Sequence, residues 1–346
     1  KISKTSIEEK SALWSTDGEL GTLAKTEDIE DTEKPWKKLP VLFHKEDAAQ
    51  PLSITLANGI YIDAAGVKPR LQNALRRLAA YSNPEFYKKK ALGFSTRNIP
   101  RIVFCGEDVG NFIHLPRGCQ NQLTAQLATA EIPYTISDER QIGHKIKVDF
   151  HGSLYPAQAE AAAAMLAQDT GVLCAATAFG KTAVGAYLVA QRKVNTLVLV
   201  HNAEIMKNWL EDFEKFLQID EPLPEYITPK GRHKKLPSLI GTLSGGRNRL
   251  GGIVDVAMNY GMVIMDECHH AGAAIAEDVL NAVSAKYVYG LTATPKRDDG
   301  QEQKIFMQLG PIRYRYTAKD RAAAQDVQHL VYPRFTRLFV PNANKL

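Results

Sequence analysis

The stretch Gly171-Val-Leu-Cys-Ala-Ala-Thr-Ala-Phe-Gly-Lys-Thr182 decides the reading of this chain. An apolar run, read as a strand over Gly171–Ala175, passes into a loop of small residues. Gly180-Lys181-Thr182 then opens a helix expected over Lys181–Arg192. That order builds a phosphate-binding loop, because the free N–H groups of a helix start point at phosphate oxygens and the helix dipole favours an anion there. On this reading Thr177, Ala178, Phe179, Gly180, Lys181 and Thr182 bind the phosphates of ATP. Lys181 supplies a point charge, and the Thr182 hydroxyl is a ligand for Mg2+. Two positions depart from the usual pattern. Ala175 stands where Gly opens the loop, and Ala178 stands where a further Gly is common, although alanine disfavours positive φ.

Working outward, apolar strands alternate with helices. Helix Pro156–Ala167 precedes the loop; strand Thr196–Val200 and helix Glu204–Leu217 follow it. Later strands are expected at Val254–Ala257, Met262–Met265 and Tyr287–Leu291. Short buried strands with helices between them predict an α/β fold with a doubly wound parallel sheet covered on both faces. In such a sheet ligands bind at the carboxyl ends of the strands. Strand Met262–Met265 ends in Asp266-Glu267-Cys268-His269-His270, on the edge that carries the phosphate loop. Asp266 there can hold Mg2+, Glu267 can activate a water, and His269 can relay to the next motif. An acidic surface turn is the plainer reading of the pair, and zinc is disfavoured because adjacent side chains cannot all converge on one ion. Strand Tyr287–Leu291 ends in Thr292-Ala293-Thr294-Pro295. Its threonines either couple the acids to a bound strand or simply cap a turn.

Upstream of residue 151 the pattern is looser. Residues 1–80 read as a polar N-terminal connector with a helix: an extended run at Leu52–Ile62, then apolar Leu71, Ala74, Leu75 and Leu78 at helical spacing. Residues 81–150 read as a small α/β domain with strands Arg101–Cys105, Phe112–Leu115, Tyr134–Ser137 and Lys145–Phe150 and a helix over Gln120–Ala130. Lys88-Lys89-Lys90 is either a solvated helix end or a phosphate contact.

The 346 residues are 45% hydrophobic with a net charge of +5, a balance that permits a nucleic-acid partner without demanding one. No apolar run approaches the roughly 20 residues of a membrane span. Lys1–Lys10 is not a signal peptide, and with no initiator Met the chain is expected to begin further upstream. The four cysteines form no CxxC pair. They read as reduced packing residues, which predicts a cytoplasmic protein.

As an ordered set, Leu154-Tyr-Pro-Ala-Gln158, Thr177–Thr182, Leu197-Val-Leu-Val-His-Asn202, Asp266–His270 and Gly290-Leu-Thr-Ala-Thr-Pro295 resemble the motifs of helicase superfamily 2. The resemblance implies a first RecA-like lobe over residues 151–318 and a linker toward a second lobe over 319–346. That second lobe, carrying an arginine finger, is needed for full activity and is not found before Leu346. By the same match Gln158 would read adenine, Asp266 and Glu267 would be the metal-binding and catalytic acids, and Asn202, Thr292 and Thr294 would lie near the nucleic-acid track or couple to it. The Asp-Glu-Cys-His-His form is similar to the DNA-acting excision-repair and phage recombination branch, in which a small N-terminal domain binds DNA. Asn83–Lys88, Leu115–Cys119 and Phe306–Arg315 resemble helicases of TOTE prokaryotic conflict systems, which makes a primase or nuclease domain or subunit a candidate partner. The expected function is an ATP-dependent DNA helicase or translocase, with RNA left open as substrate because the contacts go mainly to phosphate. The alternatives are a DNA-gated ATPase switch and a DNA-binding module with a vestigial ATP site.

Overall fold

The computed structural model describes residues 43–223, 225–227, 233–235, 238–244, 247–249, 253, 260–270, 274–295 and 300–324. The first unit is built on alternation. Strand β1 (Leu52–Leu56) and β2 (Ile60–Asp63) each bury every second side chain. Helix α1 (Pro69–Leu78) starts on a proline, whose missing N–H would be unpaired there anyway, and buries Leu71, Ala74, Leu75 and Leu78. Next come β3 (Ala80–Ser82), α2 (Pro84–Ala91), β4 (Ile102–Phe104), β5 (Glu107–Val109), β6 (Phe112–Leu115), α3 (Gln120–Thr129) and β7 (Tyr134–Asp138). The sheet runs β5-β6-β2-β1-β7; β1 and β7 are parallel and the other pairs antiparallel. Ile54 and Ile62 from the strands meet Leu71, Leu75, Leu123 and Leu127 from the helices in one core.

This places the small unit differently from the division read after residue 80. β1 and β2 hydrogen-bond into the same sheet as β6 and β7, so the residues taken as a connector are half of the domain. The apolar face of those two strands is buried against α1 and α3, and burial decided the matter. The expected strand Arg101–Cys105 pairs, as β4, with β3 in a separate ribbon. The last expected strand also moves: β8 (Val148–Phe150) pairs with β11 (Leu217–Ile219) of the following lobe, and Ile146 and Val148 join that lobe's core. The division read at 150 therefore lies too late in the chain.

The lobe comprises α4 (Pro156–Leu166), β9 (Thr170–Ala175), α5 (Lys181–Arg192), β10 (Thr196–Leu199), α6 (Ala203–Phe216) and β11. Two hairpins follow, β12 (Glu225–Ile227) with β13 (His233–Lys235) and β14 (Thr242–Ser244) with β15 (Arg247–Arg249). The lobe ends with β16 (Met262–Asp266), α7 (Ala274–Ala282), β17 (Tyr287–Thr292), α8 (Gln303–Leu309), β18 (Ile312–Tyr316) and α9 (Ala318–Ala324). Its sheet is parallel in the order β10-β16-β17-β9-β18. Alternate residues serve opposite faces, as period 2 requires. Leu173, Ile264 and Leu291 pack with Val184, Leu188, Trp209 and Phe213. Val172, Val263 and Val288 pack with Leu280, Ile305 and Leu309. The doubly wound α/β reading therefore holds, and β18 is a fifth strand that the sequence had not suggested. The strand expected at Val254–Ala257 and the linker beyond residue 324 lie outside the described residues.

The two units share packing. Met307 of α8 sits in the small unit's core, and a side chain at Gly118 would collide with the carbonyl of Phe306. Arg117, 7% exposed, lies between them. Its Nη2 donates to the carbonyls of Val283 (2.6 Å), Asn58 (2.7 Å) and Leu280 (2.9 Å), tying the β1–β2 turn to the end of α7. Burial lowers its pKa to about 10. Among the described residues no helix is long and apolar enough to cross a membrane.

Candidate functional site

β16, β17 and β9 are neighbours, and all three end at the same edge of the sheet. The phosphate loop, the acid pair and the threonine motif therefore open on one side. Lys181 begins α5, and its Nζ lies 4.0 Å from Glu267 Oε1 and 3.4 Å from the carbonyl of Ala175. The loop before it turns on Gly180, at φ 84°. A Cβ there would lie 2.5 Å from Gln158 Nε2, so both conformation and space call for glycine. Ala178 also adopts positive φ, 60°, without glycine's freedom, and Glu267 does so at 46°. Backbone strain is thus present in both halves of the site.

Gln158 is 6% exposed, and its amide is engaged. Nε2 donates to the carbonyl of Phe179 at 2.7 Å, and Oε1 accepts the Tyr155 N–H at 2.9 Å. It braces the loop against the start of α4, leaving one N–H and one lone pair for a base. The loop is also held from the far end of the lobe. Phe179 packs on Tyr316 with centroids 4.9 Å apart, the Ala176 N–H donates to the carbonyl of Tyr316 (3.0 Å), and Arg321 Nη1 donates to that of Thr177 (2.9 Å). Sequence reasoning missed Tyr316 and Arg321, because they follow the last motif and no local pattern marks them.

Asp266 is 9% exposed, with both oxygens fixed. Oδ1 accepts the Glu267 N–H at 2.9 Å and Oδ2 accepts the indole N–H of Trp209 at 2.7 Å. His269 Nδ1 lies 3.3 Å from Glu267 Oε2 and 3.2 Å from Thr292 Oγ1. In the Nδ1–H tautomer the ring can donate to either oxygen. Thr292 Oγ1 in turn accepts the Thr294 N–H (3.2 Å) and donates to the Thr294 carbonyl (2.9 Å). The Thr292 hydroxyl thus caps the turn and also reaches Glu267 through His269.

Asn202 is the N-cap of α6, its Oδ1 accepting the Ile205 N–H at 2.8 Å. Lys88, Lys89 and Lys90 form the last turn of α2 in the small unit, and Lys89 pairs with Glu85 at 2.8 Å. The four cysteines are free thiols, three of them buried. Burial pushes the Cys105 thiol up to about 11.

The donor set suits a magnesium–triphosphate group. The metal ligands on offer, the Thr182 hydroxyl and the Asp266 carboxylate, are hard oxygens. Lys181 stands beside a helix start whose glycine cradle a Cβ would fill.

A family model described as "Type III restriction enzyme, res subunit" matches residues 151–297. The chain is 28% identical over 200 residues to a "DNA 3'-5' translocase XPB2" of Sulfurisphaera tokodaii, covering 54% of this chain and 40% of that protein. It is 31% identical over 175 residues to a "DNA 3'-5' helicase XPB" of Kineococcus radiotolerans, covering 49% and 31%. The chain thus matches less than half the length of either relative. Among solved structures it resembles T4 UvsW, with a TM-score of 0.51 at 15% identity over 75% of this chain and 56% of that one, which speaks to fold alone.

Proposed function

We propose that this chain, whose residues 151–297 carry the family match, is the ATP-binding half of a superfamily 2 motor that moves on DNA. One observation carries the reading: Lys181 and Glu267, 86 positions apart in sequence, stand 4.0 Å apart at the mouth of the sheet. Lys181 and the loop N–H groups bind and orient the phosphates, and Gln158 holds the loop and offers its free amide edge to adenine. Thr182 and Asp266 would hold Mg2+, which neutralises charge on the triphosphate. Glu267 orients the attacking water and accepts its proton. His269, Thr292 and Thr294 form a relay from Glu267 to the strand that the motor grips.

DNA is the proposed substrate because the matched relatives bear DNA-translocase and DNA-helicase names. Lys88, Lys89 and Lys90, beside exposed Tyr87 and Phe94, offer phosphate and base contacts on the small unit, and Asn202 marks a second contact at the head of α6. Buried free thiols support a cytoplasmic setting, and defence or repair with a primase or nuclease partner completes the proposal. A fluorescent ATP analogue with Mg2+ should bind the chain, and Lys181→Ala should abolish binding. In the full-length protein DNA should stimulate hydrolysis. Hydrolysis without strand displacement or translocation would favour the DNA-gated switch, and a Lys181→Ala chain that still binds ATP would sink the reading.

A further inference from the structure

Trp209 is a residue that none of the sequence motifs includes. It lies on α6 and is 4% exposed. Its indole N–H donates to Asp266 Oδ2 at 2.7 Å, from a helix otherwise packed on the face of the sheet. Two contacts set the ring's place. Phe213, one turn along, meets it edge-on at 5.1 Å. Gly185, on the helix that begins with Lys181 and Thr182, lies so close that a Cβ would come within 2.7 Å of Cη2 and 3.1 Å of Cζ3. The indole therefore fills the space between the phosphate-loop helix and the acid strand, with its one polar atom on the carboxylate.

A tryptophan needs only one partner for its N–H, and a buried one commonly finds a backbone carbonyl. Here the partner is a carboxylate, whose other oxygen is held by the Glu267 N–H at 2.9 Å. With both oxygens engaged the carboxylate plane cannot rotate, and each oxygen keeps a lone pair for a metal ion or its water. A group that aligns a metal ligand in this way governs metal affinity without touching the metal. We propose that Trp209 is a positioning residue for the metal site: its indole N–H sets the orientation of Asp266, and Gly185 exists to admit the ring. The inference rests on the reading of Asp266 as the magnesium ligand given above.

The test is Trp209→Phe, which keeps an aromatic ring between Gly185 and Phe213 and removes the N–H. Binding of a fluorescent ADP analogue is titrated against Mg2+ concentration and repeated in EDTA, with a thermal melt without nucleotide as the fold control. The metal concentration for half-maximal binding should rise roughly 10- to 100-fold, while metal-free nucleotide affinity stays within about twofold of the parent, well inside the tenfold that ~1.4 kcal/mol represents. A ring that only fills space predicts instead an equal loss of affinity with and without Mg2+, and that result would overturn the proposal. So would an unchanged magnesium requirement. Should the phenylalanine variant not fold, Gly185→Ala displaces the ring while keeping its N–H, and the same rise in magnesium requirement is expected. Asp266→Asn in the same titration separates the two levels. If it raises the magnesium requirement and Trp209→Phe does not, the positioning role alone fails. If it has no effect, the metal assignment fails and takes the inference with it.

Discussion

Ala178 sits in the phosphate loop at φ 60°, where the resemblance leads one to expect glycine. The left-handed conformation costs an L-residue with a Cβ roughly 1–2 kcal/mol. Glycine is free of that penalty but loses more chain entropy on folding, about 0.5–1 kcal/mol. The first effect is the larger, so Ala178→Gly should stabilise the protein by about 0.5–1 kcal/mol. That is unusual for a change to glycine. For a cooperative unit of this size it corresponds to a rise of roughly 1–4 °C in the melting temperature. The control is Ala159→Gly, the same change at an exposed position inside α4, where glycine should cost ~0.5–1 kcal/mol. Thermal melts of both variants without nucleotide give the comparison, and opposite signs are expected. If both lose stability equally, Ala178 does not carry positive φ in solution, and the account of strain in this loop is wrong.

Arg117→Met should destabilise by about 2–4 kcal/mol in urea titration. It orphans three carbonyls at ~1–3 kcal/mol each, about 6 kcal/mol together at mid-range, and recovers roughly 3 kcal/mol of guanidinium desolvation implied by the fall from 12.5 to about 10; a variant as stable as the parent would show that the tie is not formed. Thr292→Val removes the hydroxyl between His269 and Thr294, so ATP binding should persist while DNA stimulation of hydrolysis in the full-length protein falls at least tenfold, and undiminished stimulation would remove the relay. Glu267→Gln keeps the size and polarity of the side chain but not the base; hydrolysis should fall about 100-fold or more with nucleotide affinity nearly unchanged. Hydrogen bonds from Arg140, with its charge and that of Lys286, hold the Asp138 carboxyl below its ordinary value of 3.8. A depressed acid stabilises the fold fully above its unfolded value and loses that contribution as pH falls through the folded one. Urea midpoints measured downward from pH 5 should therefore drop less steeply for Asp138→Asn than for the parent, and parallel curves would contradict the assignment.

Much of the site was legible because its chemistry is local. A helix start after an apolar strand must point free N–H groups at its own loop, so Gly180-Lys181-Thr182 marks a candidate phosphate site from its local sequence alone. Asp266 and Glu267 closing an apolar strand had to emerge at the carboxyl edge of a parallel sheet. The small unit was less legible. Leu52–Ile62 carries a strand's alternation, yet alternation alone does not say which sheet a strand joins, and the division at residue 80 failed on that point.

Amino-acid order by itself determined the strands β9, β10, β16 and β17 and the helices α4, α5 and α6, and which residues bear charge at their ends, since both follow from short-range periodicity and backbone geometry. Tertiary structure decided the strand order β10-β16-β17-β9-β18, which brings Lys181 to Glu267, and it chose Trp209, Tyr316, Arg321 and Arg117 as the residues that hold the parts in place. Those four act through contacts with residues distant in the chain. Such contacts form where burial and hydrogen bonding between whole elements outweigh the entropy of closing long loops, a balance that no local stretch of sequence contains.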